Sequence, residues 1–171
     1  MKKGVVLTLT TIFILSFGWA AQAIHETIPS ETQATLPGAD AVKLYEYIMK
    51  SKPYTDWQLF PGKSRMYEGK QPHGAFLTTY VNTDAYFSIR DKKGMADGSI
   101  VVKENYTSDK KLNSVTVMYK IKGYSPAAGD WFWAKYETAG NVVASGRVNA
   151  CIMCHEAKKD NDYIFSGNIM K

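Results

Sequence analysis

Cysteine is scarce in this chain, with two in 171 residues, which excludes a scaffold stapled by several disulfides. There is no internal repeat and no low-complexity tract, so an array or a fibrous chain is excluded too. No block of like charge stands out. The 21 basic residues are interspersed with 16 acidic ones for a net +5, and without Lys2 and Lys3 the balance is 19 against 16. So mild and mixed a charge leaves no footprint for nucleic acid. Residues 4–19 are the one long apolar run, and they are at the short end for a membrane span.

That run has the layout of an export signal. Lys2 and Lys3 precede it, and Ala21-Gln22-Ala23 closes it with small residues where a signal peptidase reads. The expected division is a cleaved signal at 1–23, a flexible polar leader at 24–38 and a single domain at 39–171. The leader, with Thr27, Pro29, Ser30 and Thr32, has little reason to order. His25 lies in it and reads as a tail residue. No stable membrane anchor is expected.

The two cysteines fall in one motif, Cys151-Ile152-Met153-Cys154-His155, the attachment pattern for c-type haem. On a helical turn this spacing lets both thiols reach the two vinyl groups on one haem edge, and the next residue, His155, is placed under the iron as an axial ligand. A zinc site needs about four ligands, and beyond these three only His73 and His25 remain as imidazoles. A thioredoxin-like pair belongs at the start of a helix in an N-terminal βαβ unit, whereas this motif lies near the C-terminus. One haem c per chain, covalently attached, is the cofactor expected. Haem of this type is attached beyond the inner membrane, so with the export signal it implies the periplasm.

Upstream, Ala41, Leu44, Tyr45 and Ile48 recur at helical spacing behind Asp40, a candidate N-cap, and the helix stops before Pro53. Residues 54–70 read as a loop packed by its aromatics. From there the period changes to strands: 75–81, 99–106, 114–122, 131–138 and 142–148. A short helix at 84–92 is capped by Asn82 or Thr83 and ended by Gly94. Short connections imply an antiparallel meander. The fold class is therefore α+β: mainly an antiparallel sheet of about five strands, with an N-terminal helix, a short helix between strands and a C-terminal helix carrying the CxxCH motif.

Pro72-His73-Gly74, Tyr80-Val81-Asn82, the run from Gly98 to Glu104 and the run from Gly129 to Ala134 precede a late CxxCH. In that order they resemble the cytochrome P-460 family, which includes the cytochromes c′-beta. The resemblance implies a β-rich homodimer with one haem, a proximal histidine and no strong protein ligand opposite. It also implies binding of nitric oxide, oxidation of hydroxylamine in some members, and a periplasmic electron-transfer partner. In the P-460 enzymes a lysine of the strand motif ending in Lys-Glu is bonded to the haem edge, and Lys103 falls on that position. The other reading of Lys103 is a side chain snorkelling from a strand end.

His73 has three readings: a sixth iron ligand that would make the protein a six-coordinate electron carrier, a hydrogen-bond donor to a bound gas, or a turn-stabilising residue. Phe76, Trp131 and Trp133 either wall the distal pocket or belong to the core. Met66, Met95 and Met118 read as ligands or as filler. Hydroxylamine-oxidising relatives carry a distal carboxylate just before the CxxCH, and residues 144–150 contain none. Arg147 in that segment either pairs with a propionate or bound nitric oxide or is an exposed strand-end charge. Glu104 and Lys103 are adjacent on a strand and so face opposite ways. Lys103, Arg147 and His73 are thus the catalytic candidates, and an open iron that binds nitric oxide or a related nitrogen species is the function expected.

Overall fold

The computed structural model describes residues 35–170. The expected signal sequence at 1–23, and the expected leader as far as residue 34 with His25, lie outside the described residues. Helix α1 (Ala41–Glu46) starts as the sequence requires, with the Asp40 carboxylate accepting from the Val42 and Lys43 N–H groups. It widens into a π-turn over Tyr47–Ser51 and stops before Pro53. Helix α2 (Thr83–Asp91) is capped by Asn82, whose Oδ1 accepts from Ala85 N at 3.1 Å and from Ile100 N at 2.9 Å. The same amide donates to Gly98 O at 2.8 Å. One side chain thereby ties the end of a strand, the start of a helix and the start of the next strand. Lys92, with φ +54, ends α2 in the left-handed region, two residues before the glycine expected to do so.

Among the described residues the sheet has seven strands, all antiparallel: β1 (Gln58–Leu59), β2 (Tyr67–Glu68), β3 (Phe76–Val81), β4 (Ile100–Tyr106), β5 (Leu112–Lys120), β6 (Trp131–Glu137) and β7 (Val142–Gly146). β3 to β7 are the five expected strands in a simple meander. The two extra ones are two-residue pairings that both lie along the outer edge of β3. They fall in the segment read as a loop, and they satisfy edge groups that would otherwise stay unpaired.

Because neighbouring residues point to opposite faces, the sheet separates two cores. On one face Ile100, Val102, Val117, Phe132 and Tyr136 pack under α1 with Leu44 and Ile48. Tyr136 closes this layer by donating to Ala41 O at 2.8 Å. Glu104 is buried on the same face, where its carboxylate accepts from Tyr54 Oη at 2.9 Å and Tyr106 Oη at 2.8 Å. Burial, then Glu104, raises the Tyr54 hydroxyl pKa. Burial, then the Glu104 hydrogen bond, pushes that of Tyr106 up to about 12.

The other face carries Val101, Met118, Trp131 and Trp133, packed with Phe60, Ile89 and Ile164. Across it runs α3 (Asn149–His155), which bears the CxxCH motif and continues into a 3-10 turn over Glu156–Asn161. Among the described residues no helix is long and apolar enough to cross a membrane.

Candidate functional site

Between this second face and α3 lies a cavity of about 750 Å³, within the range of small-molecule and cofactor sites. Cys151, Cys154 and His155 of α3 line it. The i, i+3 spacing puts the two thiols on one side of the helix, Cys151 half-buried and Cys154 exposed. Burial pushes the Cys151 thiol pKa up, with Lys135 pulling the other way.

His155 is buried, 8% exposed. Its Nδ1 lies 2.7 Å from Tyr163 O. A carbonyl only accepts, so Nδ1 carries the proton and Nε2 keeps its lone pair. A backbone bond on the second nitrogen is the usual device for orienting a metal-binding histidine. Trp133 and Phe165 flank the ring, with centroids at 4.7 and 5.1 Å. Burial lowers the His155 pKa, opposed by the Tyr163 carbonyl.

The carbonyl of Tyr163 is a functional group that sequence reading missed, since a backbone acceptor has no side-chain signature. It is held by a network of its own. Asp162 and Tyr163 are both left-handed, at φ +52 and +64. The Asp162 carboxylate accepts from Lys120 Nζ at 2.6 Å and Met95 N at 2.8 Å, and its carbonyl from Trp131 Nε1 at 3.1 Å. Trp131 therefore supports the site from within the core and does not line the cavity.

The strand register sorts the cavity wall into rows. Met118 pairs with Val101 and Trp133, forming the row beside His155. One pleat repeat further along, Lys103 pairs with Thr79 and Thr116, and Thr116 with Lys135. One more repeat brings Asn105 opposite Ser114. His73 sits at that third row, its Nδ1 2.9 Å from Asn105 Oδ1. Lys103 thus belongs to the row between the one beside His155 and the one that His73 bonds. Burial, then Lys63, lowers its pKa to about 8, with Cys154 pulling the other way. Burial, then Lys103, holds His73 down at about 4.

Two sequence candidates do not line the cavity. Phe76 is on the opposite parity of β3 from Thr79, and the Lys110 ammonium stands 5.3 Å from its ring centre. Arg147 follows Gly146, the last residue of β7, and is turned outward. Its guanidinium donates to Tyr124 O and lies 5.2 Å from the Tyr124 ring centre. Of the methionines, Met118 borders the cavity, while Met95 is buried in the core against α2 and Ile169. Among the described residues no three of His, Cys, Asp and Glu converge on one point that could hold a metal ion, whereas zinc would need about four ligands.

The family description Cytochrome P460 matches residues 51–166, a span that runs from the end of the π-turn past the CxxCH helix. The chain belongs to the cytochrome P460 family. Comparison with curated proteins gives no match. Membership makes the chain a haem cytochrome, and the residues present fit that cofactor. A cavity whose wall is apolar beside His155, at Val101, Met118, Trp133 and Ile164, meets a helix with two thiols and an imidazole whose Nε2 is free. The buried indole Nε1 of Trp133, beside His155, has no hydrogen-bond partner among the described residues, as expected of a donor whose acceptor belongs to the cytochrome P460 cofactor.

Proposed function

We propose that this cytochrome P460 protein is an exported, periplasmic mono-haem c cytochrome that binds nitric oxide or a related small nitrogen species, for detoxification or sensing. When bound, haem supplies an iron that exchanges one electron and accepts a small ligand on the face away from His155. Cys151 and Cys154 would hold it by thioether bonds, and His155, with Nε2 free, would be the residue to ligate its iron. Lys103, in the middle row of the cavity wall, would either be bonded to the porphyrin or serve as a structural side chain, and the second outcome goes with gas binding.

The observation that carries ligand binding over turnover is the charge of the cavity wall. Among its described residues there is no Asp or Glu, and its charged side chains are Lys103 and Lys135. Oxidising hydroxylamine releases protons along with electrons and needs a base near the iron. Here the far rows offer the neutral groups Asn105, Ser114 and Thr116 instead. A wall of amides and hydroxyls suits an uncharged diatomic, and with no carboxylate among its described residues a departing proton finds besides His155 the imidazole of His73, a weak acceptor with its pKa held down at about 4.

A homodimer and a periplasmic electron-transfer partner complete the proposal. Val142 and Val143 are exposed on β7, one toward each face of the sheet, and β7 is an edge strand among the described residues, an edge that a second copy could pair with. The test is hydroxylamine-dependent reduction of an artificial electron acceptor by the haem-loaded protein. At most about one turnover per haem is expected, and sustained turnover would replace this reading with an enzymatic one.

A further inference from the structure

The side chain facing His155 across the cavity is another imidazole, and its tautomer is fixed as firmly. Asn105 Nδ2 donates to Lys103 O, Ser114 O and Thr116 Oγ1 at 3.0, 3.1 and 3.2 Å. With its nitrogen so committed, Asn105 presents Oδ1 to His73, and His73 Nδ1 must be the donor. His73 therefore keeps a bare Nε2, as His155 does. The loop that carries it is pinned, because a Cβ on Gly74 would lie 2.4 and 2.5 Å from the Tyr106 carbonyl oxygen and nitrogen.

Distance separates two of the readings of His73, iron ligand and donor to a bound gas. Its ring centre is 6.3 Å from that of His155, and the rings are 87° apart. With metal–nitrogen bonds of about 2.0 Å and about 1.15 Å from nitrogen to ring centre, two imidazoles on opposite sides of one iron have centres about 6.3 Å apart. A distal histidine that only hydrogen-bonds an iron-bound diatomic must stand off by about 2 Å more, the room that the ligand itself takes. The observed spacing matches direct ligation. Other cavity donors are misplaced for it: Met118 lies in the row beside His155, and Lys103 in the middle row.

We infer that His73 is the second axial ligand of the iron, so that the resting centre is bis-histidine and nitric oxide binds by displacing His73. This rests on the haem reading above, and it replaces the open iron that the family resemblance implies. The test uses the haem-loaded protein. Ferric wild type should give a low-spin electron paramagnetic resonance spectrum, His73→Gly a high-spin one, and added imidazole should return that variant to low spin. Nitrosyl formation should reach a rate ceiling with rising nitric oxide in wild type and stay proportional to it in His73→Gly. A high-spin wild type, or a variant whose spectrum does not change, overturns the inference. A low-spin centre that depends on His73 but never forms a nitrosyl keeps the ligand and removes the nitric-oxide reading. Protein without covalent haem removes the reading beneath both.

Discussion

Replacing Asp162 by alanine separates buried from exposed electrostatics in this fold. Lys120 and Asp162 pair at 2.6 Å with side chains only 16% and 13% exposed, whereas Lys111 and Asp109 pair at 2.8 Å with 81% and 57% exposed. The distances are nearly equal, so any difference in worth comes from burial. Asp162→Ala leaves the Lys120 ammonium with the Gly129 carbonyl, 2.7 Å away, and the Trp131 ring, 4.8 Å away, and it strips the Met95 N–H of its acceptor. Breaking a buried pair in this way costs about 3 kcal/mol, a fall of roughly 6–12 °C in melting temperature for a chain of this size. Urea titration of the haem-loaded protein should move the midpoint at unchanged slope. Lys111→Ala should leave the midpoint where it was, because solvent already screens that pair. Equal effects from the two variants would refute the claim that burial decides, and with it the claim that Asp162 anchors the carbonyl that orients His155.

Acidified-acetone extraction should leave the colour with the polypeptide, and Cys151→Ala/Cys154→Ala should yield unstable apoprotein, because an unfilled cavity costs packing as well as ligation. A colourless pellet from wild type would sink the c-type assignment. If Lys103 is bonded to the porphyrin, the intact mass will fall below chain plus haem by the hydrogens lost, the ferrous band will move to longer wavelength, and Lys103→Ala will restore an ordinary haem c spectrum. Identical spectra and no mass deficit would make the lysine structural. Gly74→Ala drives a Cβ into Tyr106 backbone, which cannot yield as a side-chain tip can, so a loss of about 2–3 kcal/mol is expected in the same urea titration, and wild-type stability would show that the His73 loop is not pinned.

What was legible in the sequence follows from how far each signal reaches. The CxxCH motif is a local pattern with a mechanical reason, and the caps Asp40 and Asn82 are local hydrogen bonds. The five long strands declare themselves by alternation, and β3 to β7 appear within a few residues of the expected bounds. The two pairs of residues in β1 and β2 are too short to have a period and form because β3 offers them an edge. Of the distal candidates His73 lines the cavity and the other two do not. Phe76 and Arg147 are in the right segments, but a single-residue step sends each to the wrong face, and the position of the β7 terminus at Gly146 could not be read from composition. The distances that give His73 its role, and the Lys120–Asp162–Tyr163 chain behind His155, join residues far apart in sequence. Nothing local announces them.

The central claim, a haem whose iron takes a small nitrogen ligand on the face away from His155, is tested most directly by titrating the ferrous, haem-loaded protein with nitric oxide while recording its absorption spectrum. The account predicts conversion to a nitrosyl spectrum through fixed isosbestic points, complete at about one nitric oxide per chain. A ferrous spectrum that nitric oxide leaves unchanged would contradict it.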